Sequence, residues 1–206
     1  MEPFFLPLPG IKLLVPATAY DAKGLLKAAV RDGNPVLIFE HKLLYGSKGP
    51  RSESGTIDAS SEIPEGDYTV PIGKGIIRRE GTDVTIIATL LMMHRAMEAA
   101  GLLAQEGISA EVIDPRSLVP FDWDLVKSSV AKTNRVVIVE ESPKRGGLGA
   151  EIAATLAEEM LDFLAAPVKR GAAPVTPAPF SPPMEKFYVP DAQRITREVQ
   201  ELMLIS

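Results

Sequence analysis

Short apolar runs alternate with stretches of helical period along most of this chain, and that alternation limits the fold more than any other feature. The clearest case is "DVTIIAT" at 83–89, then "HRAMEAAGLLAQ" at 94–105, then a second apolar run at 110–113 that stops at Pro115. The rhythm continues as a helix over 123–132, a strand over 135–140, a helix over 150–164 and a short strand over 168–171. Strands separated by helices imply crossover connections, hence a mostly parallel sheet with helices on both faces. Asp191 is placed to cap a last helix running through Met203.

The rhythm begins near the start of the chain. Residues 12–15 read as a strand ended by Pro16, Thr18 as the cap of a helix starting near Tyr20, and 36–39 as a strand buried on both faces. Between them, Asp32-Gly33-Asn34-Pro35 stops the helix, with a left-handed glycine and a proline that cannot continue it. The helix carries an apolar stripe at Leu25, Leu26, Ala29 and Val30. Residues 47–66 are rich in Ser, Gly, Glu and Pro and read as a linker or long exposed loop. The passage "APVTPAPFSPPMEKFYVP" is expected to be neither regular helix nor central strand.

Composition removes several function classes. The net charge is -5 with no long basic run, which disfavours nucleic acid as a partner. There is no cysteine, so disulfide and thiolate chemistry are excluded. No stretch reaches the ~18 apolar residues of a membrane span, and the three prolines of the first ten residues do not suit a signal peptide. A cytoplasmic or organelle-matrix setting is expected.

Few residues suggest chemistry. Gly146-Gly147-Leu148-Gly149 follows a strand and opens a helix, so it can either hold a phosphate or make a tight turn; its spacing is neither the dinucleotide pattern nor a P-loop. His94, near a helix start, is expected to contact backbone or solvent, and His41 to make a surface or interdomain contact. Glu140 and Glu141 point to opposite sides of a strand, so they cannot jointly hold one substrate, and pairing with Lys144 or Arg145 is expected. "AAVRDGNP" combines helix-end carbonyls with an Asp and an Asn, oxygen donors that suit a hard cation or simply end a helix. No complete catalytic constellation is visible.

The order of several motifs resembles one family. "PGIKLLVPATAYDAKGLLKAAVRDGNPVLIFEHKLLYG", "EGTDVTIIAT", "EVIDPRSLVPFD", "KTNRVVIVEESPKRGGLGAEIAA", "LAAPVKRGAAPVTPAPFSP" and "YVPDAQRI" are similar to the beta subunit of thiamine-diphosphate-dependent 2-oxoacid dehydrogenases. The group includes pyruvate, branched-chain and acetoin-cleaving members, and "HKLLYG" leans toward pyruvate or acetoin. The resemblance implies a remnant of a pyrimidine-binding domain at 1–46, a linker at 47–80, and a transketolase C-terminal domain at 81–206 with a mixed, mostly parallel sheet. It implies a potassium ion held by the carbonyls of Ala29 and Val30 with Asp32 and Asn34. The implied partners are an alpha subunit, a second beta subunit and the subunit-binding domain of a lipoyl acyltransferase. The family's cofactor is thiamine diphosphate with magnesium. Its activating glutamate has no matching position here, so this chain alone is expected to be inactive and not to bind the cofactor. A non-catalytic docking module, or a fragment of another transketolase-like enzyme, is the alternative.

Overall fold

The computed structural model describes residues 2–45 and 57–205. After a short 3-10 turn at Glu2–Phe4 come strand β1 (Lys12–Leu14), helix α1 (Ala19–Arg31) and strand β2 (Val36–Ile38). Strands β3 (Ile76–Arg79) and β4 (Val84–Ala88) precede α2 (Leu90–Gln105), β5 (Ala110–Asp114) and β6 (Ser117–Val119). The chain ends with α3 (Trp123–Thr133), β7 (Val136–Pro143), α4 (Leu148–Glu159), β8 (Lys169–Ala173), α5 (Pro182–Tyr188) and α6 (Ala192–Met203).

Two sheets result. One has five strands in the order β3-β5-β4-β7-β8, and the other three in the order β2-β1-β6. In the larger sheet only β3 runs antiparallel; the others pair in parallel, as crossover helices require. The strand period of two sorts the core onto two faces. Val84, Ile86, Val137 and Val139 join the core that α2 and α6 cover, while Ile87, Val136 and Ile138 join the one that α3 and α4 cover. In the smaller sheet β1 pairs in parallel with β2 and antiparallel with β6.

Several expectations need correction. Strand β2 is half-buried, because it is the edge of its sheet and not an interior strand. Gly33 is absent from the left-handed residues; α1 ends on an extended Asp32, whose carboxylate takes the Asn34 N–H that a glycine turn would otherwise leave free. Helix α2 starts four residues before His94, on a left-handed Leu90 whose buried side chain packs with Leu13, Val15 and Leu118. Helix α4 is shorter than expected and passes into a 3-10 turn at Leu161–Phe163. The proline-rich passage does contain a helix, α5, with its prolines in the first turn, where a missing N–H costs nothing.

The described part of the loop after β2 is not simply exposed. Residues 57–72 strap over α1: Ser61 Oγ accepts the Tyr20 N–H at 2.7 Å, the Tyr68 hydroxyl donates to the Tyr20 carbonyl, and the two rings stack with centroids 4.6 Å apart. Asp67 takes Lys27 and Arg31 together, which holds its carboxyl down at about 2. Val70, with Tyr68 and Ile72 beside it, buries Leu25 and Ala29, so only Leu26 and Val30 of the expected stripe face outward.

Candidate functional site

The C-terminal edge of the parallel strands is where open α/β sheets bind ligands. Here the smaller sheet sits against that edge, and the junction gathers nearly every buried ionisable group. Its centre is a cluster of two carboxylates and two guanidiniums. Asp21 from the first turn of α1 and Asp114 from the end of β5 are both fully buried. Arg78 from β3 reaches both, contacting Asp114 Oδ2 at 2.8 Å and pairing with Asp21. Arg116, in the left-handed region between β5 and β6, donates to Asp21 at 3.2 Å and to the Lys74 and Gly75 carbonyls. Burial pushes the Asp114 carboxyl up to about 6, against the pull of Arg78.

Sequence reading missed Arg78, Asp114 and Arg116. Their partner Asp21 lies 57 positions from Arg78 and 95 from Arg116, beyond any local pattern. One signal was available: "DPRS" places two opposite charges directly after an apolar strand.

Glu140 and Glu141 do not take the expected lysine or arginine as their close partners. Strand β7 continues through both of them, and their side chains go opposite ways, as its period demands. Glu140 is buried at 6 % exposure and turns onto the start of α4, where Oε1 accepts the Gly149 N–H at 3.2 Å. Burial pushes this carboxyl up to about 7, against the backbone N–H groups of Gly149 and Leu148. A Cβ on Gly147 would lie 2.3 Å from Glu140 Oε2, and one on Gly149 2.6 Å from Oε1. The glycines therefore make room for an internal carboxylate, which fills the place a bound phosphate would take. Glu141 crosses to the smaller sheet, where its oxygens lie 3.1 and 3.0 Å from His41 Nε2.

A cleft of about 380 Å³ opens beside this contact. Its walls are the β1–α1 connection, the segment from Glu40 to Tyr45, and Ala59 with Ser60 of the strap. His94 lies behind it with Nε2 2.7 Å from the Ala17 carbonyl, the backbone contact expected; burial lowers its basicity. The four residues expected to hold potassium sit apart from the cleft, at the far end of α1. There Asp32 pairs with Lys12, takes the backbone and side-chain N–H of Asn34 at 2.9 Å each, and is held down at about 2, chiefly by Lys12. The Ala29 carbonyl accepts the Asp32 N–H at 3.1 Å.

Comparison with known proteins decides the family. A model of the transketolase C-terminal domain matches residues 73–195. The chain belongs to the transketolase C-terminal domain family. A second model, the transketolase pyrimidine binding domain, matches residues 1–48. The chain is 45% identical over 199 residues to the acetoin:2,6-dichlorophenolindophenol oxidoreductase subunit beta of Bacillus subtilis (strain 168), covering 97% of this chain and 55% of that one. It is 46% identical over 190 residues to the mitochondrial pyruvate dehydrogenase E1 component subunit beta-2 of Oryza sativa subsp. japonica, covering 92% and 48%. The 2-oxoisovalerate dehydrogenase subunit beta of Bacillus subtilis (strain 168) is 43% identical over 203 residues, covering 98% and 59%. A solved structure described as a split gene transketolase, inactive beta4 tetramer, superposes with a TM-score of 0.76 at 29% identity, covering 98% of this chain and 60% of that one. The chain spans about half the length of the relatives it matches. Among the described residues no helix is long and apolar enough to cross a membrane.

Proposed function

We propose that this chain serves as the C-terminal portion of a 2-oxoacid dehydrogenase beta subunit, with 73–195 as its assembly domain and 1–48 as part of a pyrimidine-binding domain. The observation that carries the reading is 43–46% identity to beta subunits over nearly the whole chain. The whole enzyme would decarboxylate a 2-oxoacid, pyruvate or an acetoin-like substrate in preference, and pass the acyl group to a lipoyl arm. An alpha subunit, a second beta subunit and a lipoyl acyltransferase would be its partners, in the cytoplasm or an organelle matrix.

Thiamine diphosphate would supply the carbanion chemistry of that enzyme. The described residues do not fit it. The phosphate-like cradle between β7 and α4 is filled by the Glu140 carboxylate, which leaves the cofactor's diphosphate no seat there. This chain's part is therefore to orient the pyrimidine-side fragment. The buried Asp21–Arg78–Asp114–Arg116 cluster fixes α1 against the larger sheet, and His41–Glu141 fixes the segment after β2.

A chimera tests the reading. The upstream half of the Bacillus subtilis acetoin oxidoreductase beta subunit is fused to this chain and produced with its alpha subunit. Reduction of dichlorophenolindophenol with acetoin, pyruvate or 2-oxoisovalerate is the expected result. A stable assembly inert toward all three would refute the enzymatic reading and favour a docking module.

A further inference from the structure

Both ring nitrogens of His41 are committed. Nδ1 accepts the backbone N–H of Leu43 at 3.2 Å and so caps the 3-10 turn Lys42–Leu44. Nε2 lies 3.1 and 3.0 Å from the two oxygens of Glu141. An imidazole nitrogen that accepts a hydrogen bond carries no proton, so the ring hydrogen is on Nε2 and is donated to the carboxylate. In this arrangement the ring is neutral.

A second proton can go only to Nδ1, where it meets the Leu43 N–H. Two donors then face each other and the cap is lost. On the opposite side the contact with Glu141 becomes a charge-assisted hydrogen bond, which is stronger. One protonation thus tightens the ring's hold on β7 and frees the turn beside it. That turn bears weight in the fold. Leu44 packs against the core under α2 and the core of the smaller sheet, and Leu44 and Tyr45 line the cleft.

We propose that His41 is a proton-operated cap: protonation at Nδ1 releases the turn Lys42–Leu44 and loosens one wall of the cleft, while Glu141 retains the ring. Among the described residues, the charged and titratable groups on the elements beside it are these, with His94 behind the cleft on the Ala17 carbonyl. Glu141 faces it from β7, with Glu140 next along that strand and directed away onto α4. Its own segment carries Glu40, Lys42 and Tyr45, the Tyr45 hydroxyl being donated to Glu40. The cleft residues contributed by the β1–α1 connection and by the strap, Pro16, Ala17, Thr18, Ala19 and Ala22 with Ala59 and Ser60, are uncharged, and Asp21 nearby is committed to Arg78 and Arg116. Among the described residues, Glu141 is the charge that meets the ring directly.

The test is a pH titration of the whole chain by nitrogen-15 NMR, following the His41 ring and the Leu43 amide together. Above the titration, Nδ1 is expected to be the unprotonated nitrogen. On acidification, Leu43 amide exchange, corrected for its intrinsic rate, is expected to accelerate about fivefold, the loss that removal of one cap produces. Its midpoint is expected to coincide with that of the ring. In His41→Asn, which cannot titrate, Leu43 exchange is expected to be flat with pH at whatever level it lies. The opposite tautomer, an exchange rate indifferent to pH in the wild type, a midpoint apart from the ring's, or the same acceleration in His41→Asn would each overturn the proposal.

Discussion

Asp21 shows how one side chain can serve two levels of structure. It lies in the first turn of α1, where a carboxylate suits the helix dipole and the Thr18 hydroxyl donates to it at 2.7 Å. It is also the shared acceptor of Arg78 and Arg116. Removing one member of a buried ionic cluster leaves its partners charged and unsolvated, which costs about 3–5 kcal/mol. Asp21→Ala is expected to lower the stability by that amount in a urea titration; a loss no greater than that of an exposed substitution such as Leu26→Ala would contradict the role given to the cluster. Glu140 predicts the opposite sign. Its folded pKa of about 7 lies above its ordinary 4.5, so the native state binds the extra proton. The stability it contributes is fully present below pH 4.5 and is lost as pH rises through about 7. Glu140→Gln is expected to remove that loss, so the variant gains on the wild type by roughly 2–3 kcal/mol between pH 5 and pH 8. Parallel denaturation curves for the two proteins at both pH values would refute it. Of these groups, the sequence made Asp21 visible only as a helix-start residue and Glu140 only as half of an acidic pair. Helical and strand periods report which face a residue occupies, and they carry no information on partners tens of positions away.

At the level of elements, α1 depends on the strap that crosses it. Gly24 is the point of closest approach. A Cβ there would lie 2.5 Å from Val70 Cγ2 and 3.0 Å from the Val70 backbone nitrogen. A backbone atom cannot swing aside, so Gly24→Ala is expected to destabilise by about 1–3 kcal/mol although alanine is the better helix former; thermal melting that is unchanged or improved would show that the strap can lift. The C-terminal end of the same helix carries the proposed potassium site. Lys12 already neutralises Asp32, so the two cations would compete. Melting in potassium chloride is expected to exceed that in sodium chloride, the difference vanishing in Asp32→Ala and widening in Lys12→Met. Identical melting in both salts for all three proteins would leave the segment as a helix stop held by Lys12. The strongly periodic elements were legible in the sequence: α1, β4, α2, β5, α3, β7 and α6. Strands β3 and β6 were not. One is "IIRR", whose two arginines hide the apolar pattern, and the other follows β5 after only Pro115 and Arg116, with no helix between to mark it as a separate strand.

For the molecule as a whole, the arm between β8 and α6 leaves several large apolar side chains uncovered among the described residues. Phe180 is 99% exposed and Phe187 82%, with Met184 and Val175 exposed beside them. Exposed aromatic groups in such a cluster favour association. A homodimer or larger species is expected in light scattering after size exclusion, and Phe180→Ser with Phe187→Ser is expected to shift it toward monomer. A monomer at micromolar concentration, or an assembly untouched by the double substitution, would place the contact elsewhere. Helix α1 and strand β1 are covered within this chain, by the strap and by β6, and so add little to that uncovered surface.

Strand β6 also bears on how such genes can be rearranged. It leaves the larger sheet after Asp114, lends three residues to β1, and returns through Phe121 to α3. A crossover at the polar stretch after Tyr45 would look harmless in the coding sequence. It would nonetheless part β1 from β6 and Asp21 from its arginines, and both products would need matching halves of one interface. Inheritance of the downstream portion by exchange between relatives is therefore expected to carry the β1–α1–β2 stretch along with it, as a single heritable block.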